Sequence, residues 1–251
     1  MQRGIGRDLP QRGDAPRDVL LPIGQTIIET PMVLRSRYFE PLAYRDILLE
    51  YFESGANWIS APKPRLTDDT YNVRPETGSI LNDLEPIFDA ANVIRIGRDI
   101  SGNQSGLRWL RRVLGDDYRV HPVADVYEGT HLDTTITPVR PGLVVLNPLR
   151  MREDQVPSVF GTWDIIWCPE IVETGWAGPY PRGSLSMGMN FFMVSPDLAV
   201  VSDIQLPLIR ELERHGVTVT PVPMRHARTL SGGIHCVTVD IRRHGSLEDH
   251  R

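Results

Sequence analysis

A unit of strand, helix and strand recurs along this chain, and that recurrence limits its possible folds more than any other feature. Residues 44–55 carry Ile47, Leu48, Tyr51 and Phe52 at helical spacing, stop at Gly55 and run into Trp58-Ile59-Ser60-Ala61-Pro62. Residues 107–115 repeat this, with Leu107, Leu110, Val113 and Leu114 on one side, and lead into Tyr118-Arg119-Val120-His121-Pro122-Val123. Residues 206–216, with Ile209 and Leu212 apolar, lead into Val217-Thr218-Val219-Thr220-Pro221-Val222. Glycine closes each helix where a left-handed cap is needed, and Pro41 and Pro207 stand where helices begin. A weaker copy spans 157–163, followed by Ile165-Ile166-Trp167-Cys168-Pro169. Strand-like runs precede the helices at 19–30, 93–100, 143–147 and 198–201. The unit returns at about fifty residues, a period that points to a radial or stacked array. A single doubly wound sheet stays open on periodicity alone. The candidate chemical residues favour the radial array, because they flank strands of different units and such ends meet at an axis.

The chain has 251 residues, enough for one large core or two small ones. Apolar residues make up 41% and charged residues 24%, as in an ordinary globular protein. A net charge of -5 leaves no general basic footprint for nucleic acid. No apolar run reaches the length of a membrane span. Residues 1–17 are polar and lack the apolar stretch of a secretion signal. Two cysteines, Cys168 and Cys236, are too few for a disulfide framework, so a cytoplasmic setting is expected. No low-complexity linker divides the chain. Residues 1–251 therefore read as one catalytic domain, with 1–15 irregular. Arg108, Arg111 and Arg112 read as a solvated helix face, and Arg242-Arg243-His244 as surface.

Chemistry concentrates at a few places. Cys236 follows Ser231-Gly232-Gly233-Ile234-His235 and precedes the alternating run Val237-Thr238-Val239-Asp240-Ile241. A lone cysteine is ordinarily a small buried apolar residue, but the glycine pair permits close backbone approach and sets the thiol at the lip of a strand. Cys168 lies in an apolar run and reads as packing. Thr130-His131-Leu132-Asp133 opens an alternating stretch, which would put His131 and Asp133 on one face of a strand. An imidazole beside a carboxylate suits proton transfer or cation binding, though an exposed edge strand explains it equally well. Asp89, between Phe88 and Ala90-Ala91, is expected to be partly buried and to need a cationic or hydrogen-bonding partner. Asp18 holds a similar place before its own strand. Two such carboxylates match what a planar guanidinium requires. Metal-ligand spacings are absent, as are glycine-rich phosphate loops, so no metal and no cofactor are expected.

These segments resemble the amidinotransferases, the family of glycine and inosamine-phosphate amidinotransferases. The matches are Pro16-Arg17-Asp18, Ile27-Ile28-Glu29-Thr30-Pro31-Met32, Arg35-Ser36-Arg37, Ala61-Pro62-Lys63-Pro64, Phe88-Asp89-Ala90-Ala91-Asn92, Gly97-Arg98-Asp99, His131-Leu132-Asp133, Asn147-Pro148 and Gly232-Gly233-Ile234-His235-Cys236. They run in order from Pro16 almost to the end. The resemblance implies a pentein-type α/β propeller of repeated ββαβ modules. It implies that Cys236 is the nucleophile, that His131 carries the proton, and that Asp89 and Asp18 hold the guanidinium and orient the histidine. Asp133 matches a further acid, and Arg150 an arginine that grips the amino-acid carboxylate. L-Arginine would be the donor and an amine the acceptor, with no cofactor, no nucleic acid and no membrane; a homodimer is compatible with it.

Two departures shape the expectation. Thr130 stands where the glycine branch resembles Met-His-Ile-Asp, so a shorter side chain would open the acceptor site. Residues 24–32 and 62–69 also look most like the inosamine-phosphate branch, and an aminocyclitol phosphate acceptor in aminoglycoside antibiotic biosynthesis is therefore expected over glycine. The second departure is at the start, where the family carries a strand motif with Asn-Glu-Trp-Asp that this chain lacks. Only four of the usual five modules can be counted, which would expose strand edges. Two other readings stay open: a hydrolase like the arginine deiminases of the same superfold, and a non-catalytic truncated homologue.

Overall fold

Each repeat folds as an antiparallel hairpin whose second strand pairs in parallel with a third, reached through a helical segment. The computed structural model describes residues 15–32, 35–68, 70, 85–96, 99–102, 104–123, 131–173 and 183–241. A short helix α1 (Pro16–Val19) leads into the first unit: β1 (Leu20–Ile23), β2 (Thr26–Glu29), α2 (Arg45–Glu53) and β3 (Asn57–Ser60). The second holds β4 (Ile94–Ile96), β5 (Asp99–Gly102), α3 (Gln104–Leu114) and β6 (Arg119–Pro122). The third holds β7 (Ile136–Arg140), β8 (Leu143–Leu146) and β9 (Asp164–Trp167). The fourth holds β10 (Phe192–Ser195), β11 (Leu198–Ser202), α4 (Leu206–Arg214) and β12 (Thr218–Val222), followed by α5 (Ala227–Leu230). Among the described residues these are four separate three-stranded sheets, so the fold is a radial α/β array and not one doubly wound sheet.

Local chemistry explains the punctuation. Gly55, Gly115 and Gly216 follow their helices at φ of +96°, +61° and +76°, where any side chain would be strained. Pro22, Pro122, Pro138 and Pro221 all lie in outer strands of their sheets, where a missing N–H breaks no ladder bond. In the third sheet the central strand is wholly apolar, and all four residues of β8 are buried.

Three expectations are corrected. Residues 157–163 form only a single 3₁₀ turn, Ser158–Phe160. Pro157, Gly161 and the β-branched Val159 fall too close together for an α-helix. His131 and Asp133 do not share a strand face: His131 is extended, and Leu132–Thr134 is a 3₁₀ turn. Cys236 does not sit at a strand lip. Residues 237–241 pair with no strand; Val237 N–H bonds Gly233 O, and the Thr238 hydroxyl bonds the carbonyls of Ile234 and His235.

The helices bury one face each, and neighbouring units share apolar clusters. Leu107 and Leu110 of α3 pack with Val120 of their own sheet and with Leu21, Ile23 and Ile28 of the first unit. Leu208, Ile209 and Leu212 of α4 pack with Ala199 and Val201, and with Val139, Leu143 and Val145 of the third unit. Emptying one such fully buried leucine to alanine costs about 2–5 kcal/mol, so each shared cluster also fixes how adjacent sheets sit. In α2 only Leu48 is buried, while Ile47 and Phe52 are more than half exposed. No helix among the described residues is long and apolar enough to cross a membrane.

Candidate active site

Each unit places a polar side chain of the site on the short segment just ahead of its first strand, and Cys236 follows the last unit. α1 carries Asp18 before β1. Asp89 stands extended before the turn Ala90–Asn92 that leads to β4, and its side chain makes no capping bond. His131 and Asp133 flank and occupy the turn before β7. Asn190 ends the turn Leu185–Met189 before β10. These segments touch in series: α1 meets the 90–92 turn, which meets the 132–134 turn, which meets the 185–189 turn, which meets α5. The segment beyond α5 returns to α1. The Arg17 N–H reaches Cys236 O at 3.4 Å, and the Arg17 side chain bonds Thr238 O and Asp240.

The sequence-derived candidates converge there. Asp18, His131 and Cys236 place a carboxylate oxygen, a ring nitrogen and the sulfur within 4.8 Å of one another. His131 Nε2 lies 3.2 Å from Asp89 Oδ2, and Nδ1 lies 3.8 Å from Asp18 Oδ1. The Cys236 thiol donates toward Asp133 Oδ2 at 3.7 Å. Arg150 lies one step out, its guanidinium on the Thr134 hydroxyl at 2.5 Å and the Ser184 hydroxyl at 2.7 Å. Thr130 is outside the described residues. Cys168 is buried in an apolar cluster, and burial pushes its thiol up to about 12, as suits packing.

The electrostatics suit a cationic guest. Burial works against a charged His131, but the carboxylates of Asp18 and Asp89 at its two nitrogens hold it well above its ordinary value. Burial and the Asp133 charge push the Cys236 thiol up to about 12, with His131 acting in the other direction. Burial also raises Asp18, opposed by His131 and Arg37. Burial disfavours the Asp133 carboxylate too, yet the His235 hydrogen bond and neighbouring charges bring it down to about 2. Asp18 Oδ1 and Asp133 Oδ1 are buried and have no hydrogen-bond partner. Two carboxylate oxygens that accept no hydrogen bond, beside a sulfur, can receive N–H groups of a planar cation.

The Asp18, His131 and Cys236 set is also, among the described residues, a group that could converge on a metal ion. Linear spacing could not reveal it, because its ligands come from three distant segments. At neutral pH a metal would have to displace protons from both Cys236 and His131.

Three residues were not singled out by their types or spacing. Arg37 donates from Nη1 to Asp18 Oδ2 at 2.7 Å and pairs Glu40 through Nε and Nη2. Asn190 links the Cys236 N–H to Asp133, and His235 bonds Asp133 Oδ2 at 2.8 Å. A positional signal existed for Asn190. It stands two residues ahead of β10, as Asp18 stands two ahead of β1.

No family model matches the chain. The chain is 53% identical over 242 residues to inosamine-phosphate amidinotransferase 1 of Streptomyces glaucescens, covering 94% of this chain and 70% of that protein. It is 37% identical over 250 residues to the L-arginine:L-lysine amidinotransferase of Pseudomonas savastanoi pv. phaseolicola, covering 94% and 68%. The solved inosamine-phosphate amidinotransferase of Streptomyces griseus superimposes with a TM-score of 0.89 at 52% identity, over 94% of this chain and 70% of that one. The α/β pentein fold that the family resemblance implies is the fold observed.

Proposed function

Because the chain belongs to the amidinotransferase family, we propose that it takes the amidino group of L-arginine onto Cys236 and passes it to an amine acceptor. The acceptor is an aminocyclitol phosphate, of the kind guanidinylated in aminoglycoside biosynthesis. Support for that choice comes from the inosamine-phosphate amidinotransferases at 50–54% identity, against 36% for a mitochondrial glycine amidinotransferase. Arginine as donor is supported by the relative that is an L-arginine:L-lysine amidinotransferase.

The chemistry follows from the arrangement. The guanidinium lies flat against Asp18, Asp89 and Asp133, which oppose its charge and fix its plane. Its positive charge favours the thiolate of Cys236, since the acids that hold the thiol up are then neutralised, and the thiol proton passes to solvent as the cation binds. The sulfur forms a bond to the guanidinium carbon. The bond from that carbon to the ornithine nitrogen breaks as His131 gives that nitrogen a proton. An amidino group remains on Cys236 and ornithine leaves. The acceptor amine then attacks the same carbon, His131 takes its proton, and the carbon–sulfur bond breaks to restore the thiolate. Arg150 holds the carboxylate of the donor amino acid. The two cysteines are free, and a reducing cytoplasm keeps Cys236 available.

One observation carries this reading: the Cys236 sulfur, an imidazole flanked by two acids and an Asp18 oxygen that accepts no hydrogen bond meet at one buried point. The test is to supply arginine with and without an aminocyclitol phosphate and to measure products. Ornithine with a guanidinylated acceptor is expected. Citrulline and ammonia would overturn the proposal in favour of hydrolysis, and no turnover of arginine would overturn the donor.

A further inference from the structure

Asp133 is held by one oxygen only. Its Oδ2 accepts from His235 Nδ1 at 2.8 Å and from Asn190 Nδ2 at 3.0 Å, and it faces the Cys236 sulfur at 3.7 Å. Its Oδ1 is buried and has no hydrogen-bond partner. Neither His235 nor Asn190 makes or breaks a bond in the reaction described above. We propose that His235 and Asn190 are positioning residues that clamp Oδ2 of Asp133 and thereby aim Oδ1 at a cationic nitrogen of the bound guanidino substrate. The inference rests on the arginine reading and adds two residues to it.

The clamp is specific in its chemistry. The terminal torsion of an aspartate is broad, so a carboxylate with both oxygens free has no fixed plane. Two donors from separate segments fix it here. The orientation of the Asn190 amide is set independently, because its Oδ1 accepts the Cys236 N–H at 3.1 Å and only its Nδ2 is left to donate. Gly233 makes room for this amide: a Cβ there would lie 2.4 Å from Asn190 Oδ1. His235 must carry its proton on Nδ1 to donate to the carboxylate. Burial lowers the pKa of His235, which favours the neutral ring with that single donor. Asn190 thus joins the backbone of the nucleophile to the acid, and His235, the residue beside Cys236, reaches the same oxygen. Sulfur and carboxylate are fixed relative to each other.

The test compares H235A, which removes the donor, with H235N, whose side-chain amide can supply a donor near the position of Nδ1. His235 keeps 24% of its side chain exposed, so truncation opens no sealed cavity. H235A is expected to raise the KM for arginine about tenfold with a smaller effect on kcat, as for loss of one hydrogen bond to a charged group. H235N should restore KM to within about threefold. H235A added to D133N should do no further damage, because both act through one oxygen. An unchanged KM in H235A, an H235N as defective as H235A, or additive effects in the double variant would overturn the clamp. Absence of arginine turnover by the wild-type protein would instead strike the donor reading. The clamp is then read from the pH profile of Cys236 alkylation by iodoacetamide, which should move to lower pH in H235A and return in H235N; an unmoved profile overturns it.

Discussion

Arg37 seats its own guanidinium on one oxygen of Asp18, Nη1 to Oδ2 at 2.7 Å, and leaves the other without a hydrogen bond. The protein thus pairs this acid with the same planar cation that the proposed substrate carries. Arg37 is 5% exposed and also binds both oxygens of Glu40. Arg37→Met would leave two carboxylates buried without their cation. We expect it to lower unfolding free energy by about 3–5 kcal/mol, measured by denaturant titration at pH 7. A loss under about 1 kcal/mol would contradict the buried network.

Cys236→Ala should abolish ornithine release while leaving the fold in place. Removing one buried sulfur costs about 1 kcal/mol, a shift of a few degrees in Tm. Intact-mass measurement after arginine treatment should show one added amidino group on the wild-type protein and none on the variant. Repeated absence of that adduct during turnover would refute the covalent step.

Burial and the Asp133 charge disfavour the Cys236 thiolate. With the Cys236 thiol pushed up to about 12, alkylation of the native protein by iodoacetamide should be slow at pH 7. It should rise about tenfold per pH unit, whereas the urea-unfolded protein titrates near 8.5. Peptide mapping separates Cys236 from Cys168. A native midpoint near 8.5 would show that the thiol is not buried among acids.

Gly233→Ala tests the backbone approach to Asn190. The added Cβ would stand 2.4 Å from Oδ1 and 2.6 Å from Cβ of Asn190, inside any normal contact. Either residue must shift, at about 1–3 kcal/mol, and the bonds from Asn190 to Cys236 and Asp133 shift with it. We expect activity to fall more than tenfold, since a misplacement of about 1 Å near reacting groups has that consequence.

Thr130→Met tests the acceptor argument taken from the family resemblance. A longer side chain beside His131 should raise the KM for an aminocyclitol phosphate and leave ornithine release to a small amine unchanged. Unaltered acceptor kinetics would remove the steric explanation.

What the sequence made legible was local. Helices α2, α3 and α4 announced themselves because glycine at the cap and leucine at helical spacing act within a few residues. The candidate set that the structure brings together was legible through resemblance and through the repeat, which puts Asp18, Asp89 and His131 at matching places. The error at His131 has a plain cause. A four-residue alternation also fits a 3₁₀ turn that tucks Asp133 inward and leaves Leu132 against an apolar cluster. Residues 237–241 misled similarly: their alternation serves the Arg17 contacts and side-chain packing, not a ladder. Arg37 was hidden because its partner Asp18 lies 19 positions away, across a whole hairpin. Asn190 was hidden by its residue type, since an amide carries no chemical flag by itself.

The touching turns at the axis have a further consequence. No single unit contains a working set of groups, so the reaction measures whether all the blades are in register. Slackening any one of them withdraws an acid, the imidazole or the sulfur from its neighbours while most helix and strand survives. Catalysis should therefore vanish on heating before circular dichroism reports melting, and ligands that bridge the centre should restore both together.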